Sequence, residues 1–91
     1  MTEARLQKQC IAYAKENNVL AYKVDSTSSR GFPDLTCVLP NGTVLFCELK
    51  TETGVLSALQ KRMIKKIKAN RGNAYVIRSK EEFMRVIASF S

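Results

Sequence analysis

The segment from Leu35 to Lys50, LTCVLPNGTVLFCELK, leaves the chain few folding options. Two runs rich in β-branched and apolar residues flank Pro40-Asn41-Gly42, which predicts a hairpin of two strands, Leu35 to Leu39 and Thr43 to Lys50. Proline at the first loop position suits a type I turn. Gly42 suits the left-handed conformation that closes a three-residue loop with a bulge. Such a loop sets Leu39 opposite Thr43, and counting outward pairs Val38 with Val44, Thr36 with Phe46 and Asp34 with Glu48. Directly opposed residues share a sheet face. One face then carries Leu35, Cys37, Leu45, Cys47 and Leu49, an apolar surface suited to a core. The other ends in two opposed carboxylates with Lys50 beside them. A two-residue Asn-Gly loop would instead shift the register and separate Asp34 from Glu48.

Two carboxylates facing each other across a ladder repel, so a purely structural strand pair would avoid them, whereas a shared divalent cation turns the repulsion into coordination. Mg²⁺ takes oxygen ligands and keeps several waters alongside one or two carboxylates and substrate phosphate oxygens. Asp34, Glu48 and the Leu49 carbonyl would supply the protein's share. Lys50 would orient an attacking water or stabilise transition-state charge, a combination suited to Mg²⁺-dependent phosphodiester hydrolysis. The chain contains no histidine, which excludes His-based general-base nucleases, zinc fingers and Ser-His or Cys-His nucleophilic catalysis as ordinarily built.

Fifteen Lys and Arg against eight Asp and Glu leave a formal charge of +7 on 91 residues, which points to a polyanionic partner, nucleic acid or an anionic membrane surface. No apolar run approaches the about 18 residues that cross a bilayer, and MTEARLQKQC lacks the apolar stretch of a secretory signal. A cytoplasmic location is expected. Cys10, Cys37 and Cys47 have spacings that fit neither a zinc site nor a disulfide framework, so reduced, buried thiols are expected.

The remaining elements follow from caps and periodicity. Thr2 caps a first helix to about Asn17, with Leu6, Cys10, Tyr13 and Ala14 at helical spacing and Asn17-Asn18 as a left-handed stop. Glu3 lies near the edge of that stripe. Val19 to Val24 reads as a strand, and the polar DSTSSRGFP as the loop that delivers the chain to Asp34. TETG, residues 51–54, is a second loop. Ser57 with Gln60 forms a capping box that opens a helix running to about Asn70 and stopping near Gly72. Leu59, Met63, Ile64 and Ile67 make its apolar stripe. Lys61, Arg62, Lys65, Lys66 and Lys68 occupy the rest with no acid among them, so salt-bridge decoration explains them poorly. Ala74 to Arg78 is a fourth strand, and Ser79 with Glu82 gives a second capping box before a helix carrying Phe83, Val86, Ile87 and Phe90. The order is α-β-β-β-α-β-α over one α/β domain, residues 1–91, with a mixed four-stranded sheet: an antiparallel meander and a fourth strand reached by a helical crossover.

Gly31-Phe32-Pro33-Asp34 followed by Glu48-Leu49-Lys50 at a strand end resembles the PD-(D/E)xK nuclease motif. With Gly31, the Gly54-Val55-Leu56-Ser57 approach to the helix, and Gln60, the chain resembles the VRR-NUC family in the minimal, stand-alone form found in phage and bacterial proteins. The similarity extends over nearly the whole chain. It implies a restriction-endonuclease-like domain in which Asp34, Glu48 and the Leu49 carbonyl bind Mg²⁺ or Mn²⁺, Lys50 is catalytic and Glu3 approaches the metal directly or through water. Gln60 would support the site, although its capping role alone accounts for its presence. The family's stand-alone members are similar to Holliday-junction resolvases, which implies a homodimer acting on branched DNA. Lys23, Arg30 and the basic side of the second helix, Lys61 and Lys65 included, are candidates for phosphate contacts. Few aromatic side chains are free to stack on bases, which disfavours sequence-specific single-strand recognition. Two alternatives stay open: a nuclease on flap or duplex DNA or RNA without junction preference, and a non-catalytic nucleic-acid-binding module.

Overall fold

The computed structural model describes residues 1–25 and 30–91. Its elements are α1 (Glu3–Glu16), β1 (Leu20–Lys23), β2 (Leu35–Val38), β3 (Val44–Leu49), α2 (Ala58–Ala69), β4 (Asn73–Ile77) and α3 (Lys80–Phe90). This is the order expected from the sequence. The middle of the expected DSTSSRGFP loop, residues 26–29, lies outside the described residues.

The strands form one sheet in the order β1-β2-β3-β4, antiparallel across the first two pairs and parallel across the last. The hairpin register is the one that a three-residue loop demands. Val38 faces Val44, Thr36 faces Phe46 and Leu35 faces Cys47. Beyond the ladder, Leu39 N–H donates to the Thr43 carbonyl at 2.9 Å and Gly42 N–H to the Leu39 carbonyl at 2.9 Å. Gly42 has φ of +87°, the left-handed conformation that closes the loop. Asn41 adds a lock, accepting from Thr43 N–H and donating to the Phe90 carbonyl at the end of α3.

The odd-numbered face of the hairpin is the core. Leu35, Cys37, Leu45, Cys47 and Leu49 are buried there with Ile77, under Leu6, Cys10 and Ala14 of α1 and Phe83 and Ile87 of α3. Tyr13 meets Phe83 edge-on with ring centroids 6.1 Å apart, which joins the two helices. All three cysteines are free and buried, and burial pushes the Cys10 thiol up to about 12, so it stays protonated and inert at neutral pH.

Caps end the helices largely as expected. Thr2 Oγ1 accepts from Arg5 N–H, and Asn18 turns left-handed with φ of 58° after α1. Ser57 and Gln60 form the full reciprocal box before α2. The second box is completed differently. Ser79 Oγ accepts from Glu82 N–H, but the Glu82 carboxylate accepts from Arg78 N–H, one residue earlier than the reciprocal bond would require.

Helix α2 lies on the opposite face from α1 and α3, against β4. Of its expected stripe, Ile64 is buried, Met63 and Ile67 are half-buried, and Leu59 stays exposed. A helix displaced to one edge of a sheet covers only part of the face. Leu20, Tyr22 and Val44, on the same face as Thr36 and Val38, consequently remain exposed. No helix among the described residues is long and apolar enough to cross a membrane.

Candidate active site

The site assembles where β2 begins and β3 ends. Asp34 precedes β2, and its carbonyl accepts from Val24 N–H at 2.9 Å, which ties its backbone to β1. Its carboxylate is held from the other side: Leu49 N–H donates to Asp34 Oδ2 at 2.7 Å. The side chain thus reaches across the ladder to the Glu48-Leu49 step. Phe32, two residues earlier, packs edge-on against Phe46 at 5.6 Å, and Pro33 is fully buried, so the approach to Asp34 is anchored in the sheet. Lys50 N–H donates to the Ile77 carbonyl at 3.0 Å and continues the parallel pairing one step past β3.

Glu48 is the one buried charged residue among the described residues, with 1% of its surface exposed. Gln60 Nε2 donates to Glu48 Oε2 at 3.2 Å, while Glu48 Oε1 is buried with no hydrogen-bond partner among the described residues. Gln60 therefore does two things at once. Its carbonyl oxygen accepts from Ser57 N–H at 2.8 Å to complete the cap, and its amide nitrogen reaches the carboxylate. The first turn of α2 is locked to the acidic pair through this one side chain.

Burial first, then the closely approaching Asp34 carboxylate and, last, the charge of Glu3 push the Glu48 carboxyl up to about 8 from 4.5, against the pull of Lys50. A carboxyl perturbed in this way would ionise more readily beside an additional positive charge. The two-carboxylate set with an orphaned buried oxygen fits a hard divalent cation that fills its remaining coordination with water and phosphate. Glu3 is not gathered with the pair: among the described residues no group of three or more His, Cys, Asp or Glu lies together. It stands exposed at the start of α1 and acts on Glu48 through its charge.

The raised Glu48 carboxyl makes a prediction for the metal-free protein. The folded chain keeps a proton that the unfolded chain loses near pH 4.5, so this stability is full below that pH and is lost as pH rises through about 8. Glu48→Gln, a neutral isostere, is expected to flatten the fall in melting temperature across that window. At pH 8 with chelator it should melt about 5 °C or more above the wild type. Parallel pH profiles for the two proteins by circular dichroism would refute this.

The candidate phosphate contacts are distributed unevenly. Arg30 lines a shallow cavity of about 280 Å³ together with Gly31, Phe32, Asp34, Leu59 and Gln60, directly beside the acidic pair. Lys61 and Lys65 are exposed on α2, which starts at the site and runs away from it. Lys23 pairs with Leu35, so the alternation directs it to the face of α1 rather than that of Glu48. It is exposed at the end of an edge strand. Gly31 is more than a linker. With φ of +81° it packs on the first turn of α2, where a Cβ would lie 2.7 Å from the Leu59 carbonyl oxygen.

The mixed sheet thus carries a helix pair on one face and, on the other, a carboxylate pair with a lysine at a strand end. The model of the VRR-NUC domain family matches residues 3–81, and the chain belongs to that family. A solved structure of a VRR-NUC domain has the same fold, with a TM-score of 0.86 and 26% sequence identity over 98% of this chain and 97% of that one. Comparison with curated proteins gives no match.

Proposed function

We propose that this domain is a metal-dependent, structure-selective DNA endonuclease that hydrolyses phosphodiester bonds, acting as a homodimer with preference for four-way junctions. The observation that carries the hydrolytic reading is the anchored Asp34/Glu48 pair, with one buried carboxylate oxygen unpaired and Lys50 close enough to act on it electrostatically. Mg²⁺ or Mn²⁺ bound by Asp34, Glu48 and the Leu49 carbonyl would supply Lewis-acid charge and lower the pKa of a water. The chain does the rest. The Leu49 N–H keeps Asp34 oriented, Gln60 keeps Glu48 oriented, and the Lys50 ammonium offsets negative charge that builds on the phosphate in the transition state.

The substrate reading rests on charge and exposed surface. Helix α2 leaves the site carrying Lys61, Arg62, Lys65, Lys66 and Lys68, all exposed, along 12 residues. At ~1.5 Å per residue this ridge is ~18 Å long, about five base pairs of duplex. A duplex arm beside the scissile bond would lie along it, with Arg30 contacting the phosphate nearest Asp34. Pairing two copies would cover Leu20, Tyr22 and Val44 on the carboxylate face and present two sites to two strands.

The test is cleavage of a labelled four-way junction, a flap and a linear duplex, with Mg²⁺ or Mn²⁺ and with chelator, alongside light scattering for oligomeric state. Junction cutting that needs metal and a dimeric mass support the proposal. Equal cutting of all three substrates would overturn the junction preference, and metal-independent or absent cutting would overturn the enzyme. In the Asp34→Asn background, Lys61→Ala/Lys65→Ala is expected to weaken junction binding and lower the slope of log affinity against log salt by about 1.8. An unchanged slope by fluorescence anisotropy would remove these lysines from the interface.

A further inference from the structure

Arg78 lies one residue beyond β4 and is half-buried. Its Nη1 donates to two carbonyl oxygens of the β3–α2 connection, Thr51 at 2.7 Å and Gly54 at 2.7 Å. The backbone from which it reaches is itself held, since Arg78 N–H donates to Glu82 Oε1 of α3 at 2.6 Å. Both bonds leave a single nitrogen whose two N–H directions are fixed in the planar, permanently charged guanidinium fork, so they set the separation of the two carbonyls as well as their position. The connection it fixes is the one that leaves Lys50 and enters α2.

Gly54 transmits that constraint. A methyl group placed on its Cα would meet Thr51 Oγ1 at 3.1 Å and Lys50 Cδ at 3.3 Å. The aliphatic stem of Lys50 therefore lies against a residue that Arg78 holds by its carbonyl. Three residues further on, Ser57 caps the helix whose Gln60 donates to Glu48. One arginine just past the end of β4 thus secures the segment between the lysine and the glutamine of the site.

We infer that Arg78 is a positioning residue for the nuclease site, holding the 51–54 connection so that the Lys50 ammonium is aimed at the Asp34/Glu48 pair. It acts through the connection rather than on the reacting atoms. This rests on the nuclease reading for its kinetic consequence but not for its structural one. A small displacement of a catalytic group costs about 10²-fold in rate, so loss of the clamp should appear in turnover and leave affinity in place.

The experiment compares wild type, Arg78→Ala and Arg78→Lys by junction cleavage kinetics, thermal melting and NMR relaxation of the Lys50 Cε methylene. Arg78→Ala is expected to stay folded, to lose about 10–100-fold in kcat with KM within about threefold, and to recover part of that loss on addition of millimolar guanidinium. Lys50 Cε should become more mobile in Arg78→Ala. Arg78→Lys keeps the charge without the fork, so both readouts should fall between those of wild type and Arg78→Ala. If Arg78→Ala does not fold, Arg78→Lys decides by the same two readouts. If the wild type does not cut, the nuclease reading falls and Lys50 mobility alone judges the clamp. Unchanged Lys50 mobility in a folded variant overturns the inference, as does a kcat loss that guanidinium leaves unrelieved.

Discussion

Lys50→Ala is expected to reduce metal-dependent cleavage about 10³-fold while junction affinity stays within about threefold. The side chain emerges at the end of β3, beside a buried carboxylate whose proton affinity its charge lowers. Its backbone is fixed independently of its ammonium, by the bond from its N–H to the Ile77 carbonyl at 3.0 Å. Removing the ammonium therefore deletes a charge from the reaction without unfastening the strand. The effect should fall on kcat, because the stabilised charge develops only in the transition state. Single-turnover kinetics with excess enzyme separate the two quantities. Near wild-type cleavage by Lys50→Ala would remove it from the catalytic set.

Gly31→Ala is expected to be the most damaging single-methyl substitution in the domain. Two independent penalties meet there. The residue has φ of +81°, and its Cβ would lie 2.7 Å from the Leu59 carbonyl oxygen and 2.8 Å from the Leu59 carbonyl carbon, both parts of a helix backbone that has no rotamer to change. A destabilisation of about 2–4 kcal/mol is expected, which lowers the melting temperature by ~10–20 °C in a domain of this size. Relief comes only by moving the Arg30–Asp34 segment off α2, so cleavage should fall even at temperatures where the variant is folded. Thermal melts together with cleavage assays at 15 °C check both parts. A variant that melts and cuts like the wild type would show that this contact does not constrain the site.

Much of the site was legible in one hairpin. Once Pro40-Asn41-Gly42 selects a three-residue loop, the two-residue period of the strands dictates that Asp34 comes level with Glu48 and that the cysteines and leucines go to the core. Ser57 and Gln60 were legible as a cap because capping is local. That the same glutamine also reaches Glu48 depends on how α2 docks, which no local pattern encodes. The face on which Lys23 falls was hidden for a similar reason: Lys23 and Leu35 lie too far apart in the sequence for a tight-turn rule to set their register in advance. Exposure of Leu59 could not be read from a helical stripe, since periodicity tells which side of a helix is apolar but not how much sheet lies beneath it. Arg78 was invisible because its partners are backbone carbonyls, which every residue possesses.

The carboxylate pair also explains a tension in the fold. Glu48 occupies the interior of a strand with 1% exposure, a place where a hydrophobic residue would be more stable in a metal-free protein. Among the described residues no cation balances it: Gln60 donates to one oxygen, the other has no hydrogen-bond partner, and burial together with Asp34 holds the carboxyl protonated up to about pH 8. A buried carboxylate left so poorly satisfied fits the proposed site, in which an added cation would complete the set.

The most direct test of that account is a titration of isotope-labelled wild type and Asp34→Asn with Mn²⁺, followed by paramagnetic broadening of the backbone amides. The account predicts that at substoichiometric Mn²⁺ the amides of Asp34, Glu48, Leu49 and Lys50 broaden first in the wild type, and that Asp34→Asn loses this selectivity. Broadening centred elsewhere, or identical in the two proteins, would contradict the claim that the hairpin aligns these carboxylates to hold a metal.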